Sequence, residues 1–255
     1  MQQLLFIKRI LFKLGRSFLQ LLLIVFVGLP VMVLMLIFPS LRRRLLPKTK
    51  KEIYDRLSST VGTREKLPDQ LHSQLDFLIQ VLQAAGESNS DSKVVNPLLQ
   101  QNLDKLDGNF ADILRHWATA IFSEVEADVA EDIAIGIGNF SDCIQEFPLG
   151  RKANNIEISI AGYEAVLKVL TYKSHRENWA MTQNNLGNAY CDRIRGDKAQ
   201  NIEAAIAAYE QALQVYTQTD FPINWATTQN NLGTAYIDRI RGDKAQNIEA
   251  AIAAF

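Results

Sequence analysis

Residues 178–209 read NWAMTQNNLGNAYCDRIRGDKAQNIEAAIAAY, and residues 224–255 read NWATTQNNLGTAYIDRIRGDKAQNIEAAIAAF. The two stretches are identical at 28 of 32 positions, and every aligned pair of residues is 46 positions apart. Self-similarity at a fixed period of this size is the signature of a stacked repeat array. The repeat therefore decides the fold class before any single residue is considered.

Each copy predicts two amphipathic helices joined by a short turn. In the first copy, Gly196 can take a positive φ and is predicted to stop the first helix. Asp197 begins an acid-x-x-Gln sequence that can cap the second helix. The hairpin buries its apolar faces only by stacking on the next one, which predicts an all-α solenoid with a 46-residue period. The apolar faces consist of Trp179, Leu186, Tyr190 and Ile194 on the first helix, and of Ile202, Ile206, Tyr209, Leu213 and Tyr216 on the second.

Leu-Gly followed by an aromatic residue on the first helix, and Ala, aromatic, Ala on the second, resemble the tetratricopeptide repeat family. The family's usual period is about 34 residues, so the longer period here resembles its extended subfamily, which includes kinesin light chain and bacterial proteins with an NNLGxxY sequence. The resemblance covers residues 132–255 and implies which side chains pack the repeats together. With Trp179 from the apolar stripe and its counterpart Trp225, the predicted packing residues are Trp179, Leu186, Gly187, Tyr190, Ala205, Tyr209, Ala212, Trp225, Leu232, Gly233, Tyr236, Ala251 and Phe255.

Three repeat units are expected. In the first, Asn139 aligns with Asn185, and Tyr163 takes the aromatic position of the second helix. Repeat arrays normally end in a polar capping helix. The last copy has none, which predicts either a fragment of a longer protein or a surface through which the chain self-associates. The units are residues 132–177 (degenerate), 178–223 (complete) and 224–255 (truncated).

The resemblance also implies where a ligand would bind. In this family the first helices line the concave groove, and in the extended subfamily the asparagine just before Leu-Gly hydrogen-bonds to the backbone of an extended peptide. An amide offers a donor and an acceptor, so a ladder of amides can hold a peptide of any sequence. The alternative is that these amides bridge adjacent helices inside the array. The candidate partner-binding residues are Asn139, Asn184, Asn185, Asn188, Asn230 and Asn231.

The charged loop DRIRGDKAQ is repeated intact at residues 192–200 and 238–246. One interpretation is a mixed-charge edge that docks a partner. The other is a solvated loop with local ion pairs, each of which contributes little stability.

The N-terminal part of the chain is predicted to cross a membrane. Residues 18–38, from Phe18 to Phe38, carry no charge, and as a helix they would cover about 31 Å, the thickness of a hydrocarbon core. Residues 1–17 are basic, and residues 1–51 hold ten Lys/Arg and no acidic residue. More of these cations follow the span than precede it, which favours a single-pass anchor with a cytoplasmic repeat domain. A buried core helix, a cleaved signal peptide and a shallow hairpin are the alternatives.

The rest of the chain is acidic. Residues 52–255 carry 17 Lys/Arg against 28 Asp/Glu, a net charge of −11, which argues against nucleic-acid binding. Cys143 and Cys191 do not occupy equivalent repeat positions, and His72 and His116 have no second ligand at helical spacing. Neither a disulfide framework nor a metal site is therefore expected.

Residues 39–131 are predicted to form a basic juxtamembrane stretch followed by a helical adaptor. Apolar residues at helical spacing mark helices over residues 70–83 and 110–124. The polar residues 87–96 between them predict a loop, and Asn96 before Pro97 predicts the start of a helix.

No catalytic motif occurs in the sequence, which lacks a glycine-rich phosphate loop, HExxH and GxSxG. We therefore expect a membrane-anchored scaffold that is not an enzyme, binds a protein or peptide partner and needs no cofactor. The alternative is the sensor part of a longer enzyme, such as a caspase-like (CHAT) peptidase, because relatives of these extended repeats often precede such a domain.

Overall fold

The computed structural model describes residues 67–254, without the side chains of Leu67, Pro68, Asp69 and His72. All regular structure in this range is helical, so the all-α prediction is confirmed for the described residues. The helices are α1 (Leu67–Ser88), α2 (Ser92–Gln100), α3 (Phe110–Phe122), α4 (Ala127–Glu146), α5 (Lys152–Val166), α6 (Arg176–Asp192), α7 (Lys198–Ala212), α8 (Pro222–Ile237) and α9 (Lys244–Ala254), with a 3-10 helix at Leu103–Lys105.

The predicted membrane segment at residues 18–38 lies outside the described residues. Between residues 67 and 254, no helix combines the length and the hydrophobicity needed to cross a membrane.

Helices α4 to α9 form three hairpins that follow the 46-residue period. Within each hairpin the two helices pack on each other: α4 on α5, α6 on α7, and α8 on α9. The second helix of one hairpin also packs on the first helix of the next, α5 on α6 and α7 on α8. The degenerate copy therefore has the same architecture as the other two, and its first helix begins at Ala127.

A buried asparagine closes the turn inside each hairpin. Asn201 Nδ2 donates to the backbone carbonyls of Arg193 at 3.5 Å and Arg195 at 2.9 Å. Asn155 and Asn247, each one period away, make the same pair of hydrogen bonds in their own turns. The sequence gives no direct sign of this role, although all three asparagines recur at the period of 46.

The first helix of the hairpin ends earlier than the sequence predicts. Helix α6 ends at Asp192, and Gly196, which was expected to stop it, lies four residues farther on with φ +80°. Ile194 consequently lies in the turn and is 64% exposed instead of buried. The backbone of Arg193 is already extended (φ −62°, ψ 123°), and the buried Asn201 holds the carbonyls of Arg193 and Arg195 in the turn. The predicted cap of the second helix is confirmed, since the Asp197 carboxylate accepts from the Gln200 N–H at 2.8 Å.

Helices α1 to α3 share one hydrophobic core with α4 and α5. Three fully buried phenylalanines join the two parts: the ring centroid of Phe110 lies 5.6 Å from that of Phe77 and 6.4 Å from that of Phe140. The adaptor region is therefore continuous with the first hairpin, and residue 131, where the sequence suggests a boundary, lies within α4.

Helix α2 begins at Ser92, so the helix start predicted at Asn96 is wrong. Asp91 caps the helix by accepting from the Lys93 N–H at 2.9 Å. Pro97 lies inside the helix between the fully buried Val95 and Leu99. Their burial in the core outweighs the backbone hydrogen bond that a proline in a helix cannot donate.

The side chains predicted to pack the repeats lie between neighbouring helices. Gly187 allows a close approach of α7, because a Cβ at this position would lie 2.5 Å from the ring of Tyr209. Phe255 lies outside the described residues. Trp179, Leu186, Gly187, Ala205, Tyr209, Ala212, Leu232, Gly233 and Ala251 are buried, and Tyr190, Trp225 and Tyr236 are partly buried.

Candidate partner-binding face on the first helices

A line of polar side chains, called here the amide ribbon, runs across the first helices α4, α6 and α8. Four of the six candidate asparagines belong to it. All its side chains are at least partly buried, so their hydrogen bonds are shielded from water. The ribbon consists of Asp142, Asn184, Asn185, Asn188, Thr228 and Asn231.

The ribbon repeats one hydrogen bond in two successive hairpins. Asn185 Nδ2 donates to Asp142 Oδ1 at 3.0 Å, which joins α6 to α4. Asn231 Nδ2 donates to Asn188 Oδ1 at 3.1 Å, which joins α8 to α6. Asp142 and Asn188 are equivalent, 46 residues apart. The amide donors of Asn185 and Asn231 thus bridge adjacent first helices. This arrangement is the alternative to peptide binding that the sequence leaves open.

Asn184 connects the two halves of the ribbon. Its Nδ2 donates to Asn185 Oδ1 at 3.3 Å within α6. Its Oδ1 accepts from Thr228 Oγ1 at 3.1 Å and from Asn231 Nδ2 at 3.3 Å, both on α8. The ribbon is therefore a connected network that orients its side chains before any partner arrives.

A buried tyrosine on the second helix anchors each acceptor. Tyr163 OH donates to Asp142 Oδ1, and Tyr209 OH donates to Asn188 Oδ1, each at 2.7 Å. Burial raises the pKa of Asp142 above its ordinary value, although the hydrogen bonds from Tyr163 and Asn185 act in the opposite direction. Burial also raises the pKa of Tyr163, so its hydroxyl keeps the proton that it donates.

Arginine–glutamate pairs join each hairpin to the next. Arg193 donates from Nε and Nη2 to the two carboxylate oxygens of Glu157, both at 2.8 Å. Arg239 and Glu203 make the same two bonds one period later, also at 2.8 Å. The hydrogen bond from Arg239 lowers the pKa of Glu203. The first arginine of the DRIRGDKAQ loop is thus paired across hairpins and not within its own loop.

A tyrosine one turn before each arginine extends this contact. Tyr190 OH donates to Glu164 at 3.1 Å, and Tyr236 OH donates to Glu210 at 2.9 Å. Burial, followed by the charge of Glu164, raises the pKa of Tyr190 to about 12. Sequence reasoning missed these contacts because the partners are far apart in the chain. The signal available in the sequence was that the tyrosine and the glutamate of the first pair both recur 46 residues later.

The middle hairpin carries the signature of a known family. A sequence model described as tetratricopeptide repeat matches residues 179–219, which include most of α6 and all of α7. The chain therefore contains a tetratricopeptide repeat. Comparison with curated proteins gave no match, and neither did comparison with solved structures. Tetratricopeptide repeats indicate a protein-interaction scaffold. In such a scaffold, a partner can form hydrogen bonds only with groups that the array itself leaves open.

Asn188 and Asn231 of the amide ribbon retain such capacity. Among the described residues, Asn188 Nδ2 donates to no protein atom, and Asn231 Oδ1 accepts from none. Both side chains are only partly buried. They lie on adjacent first helices and are held in place by the ribbon. A fixed donor beside a fixed acceptor is the combination that a peptide group can satisfy.

The other two candidate asparagines lie outside the ribbon. Asn139 is partly buried on α4, and its backbone carbonyl accepts from Ser90 Oγ at 3.3 Å. Asn230 is exposed on α8, and its backbone carbonyl accepts from Thr234 Oγ1 at 3.0 Å. Only the exposed position leaves its amide directly accessible from solvent.

The two thiols of the repeat array are shielded. Cys143 is buried and Cys191 is partly buried, and both are free thiols. Burial raises the pKa of Cys143 to about 11 and also raises that of Cys191, so the thiolate is disfavoured at both positions. In the part of the chain that the structure describes, no group of three or more His, Cys, Asp and Glu is arranged to hold a metal ion.

Proposed function

We propose that this protein is a non-catalytic scaffold that holds an extended segment of a protein partner against the amide ribbon. The observation that carries the proposal is the open donor of Asn188 beside the open acceptor of Asn231. In tetratricopeptide repeat proteins the first helices face the ligand, and the ribbon lies on the first helices of this array.

Recognition would depend mainly on the backbone of the partner. A peptide group presents one N–H and one carbonyl, which match the acceptor of Asn231 and the donor of Asn188. Because the internal hydrogen bonds already orient these amides, little side-chain entropy is lost on binding. The scaffold would therefore accept several sequences that share an extended backbone.

Charge and apolar surface would narrow the choice of partner. The net charge of −11 over residues 52–255 disfavours an acidic segment. Met181 precedes Asn184 and Asn185 by three and four residues on α6, so it shares their helix face, and its side chain is 47% exposed. A neutral or basic segment with an apolar side chain at this point is the expected ligand.

Residues 18–38 would anchor the scaffold in a membrane as a single span, with the repeats in the cytoplasm. The support comes from the uncharged run and its basic flanks. The test is carbonate extraction combined with protease accessibility of the repeats in sealed membranes. Release of the intact chain by carbonate would refute the membrane anchor. Protection of the repeats from a protease added on the cytoplasmic side would refute the proposed orientation.

The binding proposal is tested with Asn188→Asp. The carboxylate keeps the acceptor oxygen for Tyr209 and Asn231, as Asp142 does in the preceding hairpin, but it replaces the open donor with an acceptor. A peptide selected from a random display library on the full chain in lipid nanodiscs supplies the ligand, and fluorescence anisotropy measures its affinity.

We expect Asn188→Asp to weaken the selected peptide at least about tenfold, which corresponds to about 1.4 kcal/mol. Gln211→Glu is the matched control, because it makes the same amide-to-acid change at an exposed position on α7. Equal affinity of the two variants, with helical circular dichroism preserved in both, would refute binding at the ribbon.

A further inference from the structure

Four exposed aliphatic side chains lie along one edge of the structure, called here the turn edge. This edge consists of the 3-10 helix at Leu103–Lys105 and of the three turns inside the hairpins with their flanking residues, 146–152, 192–198 and 238–244. Leu103 lies against the first turn, because a Cβ at Gly150 would be 3.5 Å from its side chain. The exposed fractions are 38% for Leu103, 40% for Leu149, 64% for Ile194 and 63% for Ile240.

This exposure is a property of the turns themselves. Ile194 belongs to the middle hairpin, which has another hairpin packed on each side, and it is as exposed as Ile240 in the last hairpin. A neighbouring hairpin therefore does not cover the isoleucine of the turn.

The chain enters the described structure beside this edge. In the second turn of α1, Gln74 Nε2 donates to the Lys105 carbonyl and to Asp107 Oδ1, both at 2.9 Å. The next residue but one is also close to a hairpin turn, since a Cβ at Gly108 would lie 3.8 Å from Arg195 Nη2. Residues 1–66, which include the predicted membrane span, thus lead into the structure next to the turn edge.

The turn edge differs in charge from the rest of the acidic body. Its three turn segments hold eight Lys/Arg and five Asp/Glu, a net charge of +3. The pairs of Arg193 with Glu157 and of Arg239 with Glu203 reduce this to +1. Residues 52–255 as a whole carry −11. An anionic lipid surface would consequently repel the rest of the body and not this edge.

We propose that the turn edge rests on the lipid surface, with its four aliphatic side chains inserted between the headgroups. The inference rests on the membrane anchor of the proposed function and is independent of peptide binding at the ribbon. Because the anchor already confines the repeats to the membrane surface, even a weak contact of this kind would be occupied. Its strength would come from the buried apolar area and from the neighbouring cations.

The sequence around each isoleucine favours lipid over a protein as the occupant. Ile194 lies between Arg193 and Arg195, and Ile240 lies between two arginines in the same way. The centre of a protein–protein interface is depleted of charged residues. At a bilayer, an arginine can lay its stem along apolar surface and bind lipid phosphate with its guanidinium. Arg195 uses Nη2 for Asn154 Oδ1 at 2.6 Å, and a guanidinium has five N–H donors.

The test is nitroxide quenching of a fluorescent amino acid placed at single positions of the full chain. The chain is held in nanodiscs of phosphatidylcholine and phosphatidylglycerol whose acyl chains carry nitroxide, which quenches only at short range. A probe at position 240 should be quenched. A probe at position 218, exposed in the connection between α7 and α8, lies at the other end of the hairpins, about 20 Å farther from the lipid, and should keep its fluorescence.

A double variant tests whether the aliphatic side chains hold this contact. Leu149→Asp with Ile240→Asp should lower the ratio of quenched to unquenched probe at position 194 at least about tenfold. Both substituted positions are exposed, so the fold does not depend on them. Ile223→Asp is the matched control, because this isoleucine is 79% exposed at the start of α8, at the other end of the hairpins, and it should change nothing.

The outcomes separate this inference from the anchor on which it rests. Equal quenching at 240 and 218, in a chain that co-elutes with the nanodiscs, would overturn the lipid contact and leave the anchor standing; the edge would then face water or a protein. Quenching at 194 that survives the double variant would also overturn it. A chain that does not stay with the nanodiscs would overturn the anchor and this inference together, while Asn188→Asp still decides peptide binding at the ribbon.

Discussion

Asn201→Ala tests how the turn between α6 and α7 is held. The Asn201 side chain is 4% exposed, and its Nδ2 donates to two turn carbonyls at 2.9 and 3.5 Å. Alanine removes both hydrogen bonds, while the cap at Asp197 stays in place. The expected effect is therefore a local loss of stability in the middle hairpin.

The structure sets the size of that loss. Removing a partner from buried polar groups costs about 1–3 kcal/mol. Only the 2.9 Å bond is strong, and water can reach the carbonyl of the exposed Arg195, so we expect the lower part of this range. Since a factor of ten in an equilibrium constant is about 1.4 kcal/mol, a loss of about 1–2 kcal/mol makes the turn open about 5 to 30 times more often.

Hydrogen exchange followed by mass spectrometry on the full chain in lipid nanodiscs measures this opening segment by segment. Amides at the end of α6 and the start of α7 should exchange faster in Asn201→Ala by that factor. Segments from α2 and α3 should be unchanged. Gln214→Ala, which removes an exposed amide beyond the end of α7, should have no effect.

Asn201→Asp gives a sharper result, because it places an oxygen against the two carbonyl oxygens. Its effect should exceed that of alanine at neutral pH and should shrink at acidic pH, where the protonated carboxyl can donate again. If neither variant changes exchange in the turn, or if all segments change equally, the asparagine does not hold the turn as described.

Three further predictions concern the contacts between helices. Burial favours the protonated form of Asp142, so its charged form costs stability at pH values above its folded pKa, and this cost disappears at acidic pH. Asp142→Asn, which copies Asn188, should therefore raise the free energy of unfolding measured in urea at neutral pH, by about 1.4 kcal/mol for each unit by which the pKa is raised, and should give no gain near pH 3. Gly187→Ala should cost about 1–3 kcal/mol in urea unfolding, because its Cβ would lie 2.5 Å from the buried ring of Tyr209; an unchanged midpoint would mean that the ring moves freely. Arg193→Gln should cost about 1–3 kcal/mol and speed hydrogen exchange in both α5 and α6, because the carboxylate it leaves is only 10% exposed; exchange that changes in α6 alone would contradict a bond between hairpins.

The sequence predicts those features of the hairpins that depend on neighbouring residues. The 46-residue period, the amphipathic faces and the cap at Asp197 are all set within a few turns of helix, and the structure has them. The end of α6 was predicted less well. Gly196 carries the usual stop signal, but the helix ends four residues before it, and Asn201 binds the turn carbonyls six and eight residues earlier in the chain.

Contacts between hairpins are harder to derive, because their partners are distant in the chain. Glu157 and Arg193 are 36 residues apart, and nothing in the local pattern of either residue marks a bidentate pair. The same holds for the amide ribbon. Its asparagines could be chosen from the sequence, but whether Asn185 turns its amide to a neighbouring helix depends on the acceptor at Asp142.

The central claim is that a partner lies along the first helices and not elsewhere on the array. A photo-crosslinking amino acid placed at 181 or 230, both exposed beside the ribbon, tests it directly in cells that express the full chain. Position 207, exposed on α7, is the matched control on a second helix. We predict one common crosslinked partner from 181 and 230, lost on addition of Asn188→Asp, and none from 207. Equal crosslinking of that partner from 207, or crosslinking from 207 alone, would contradict the claim.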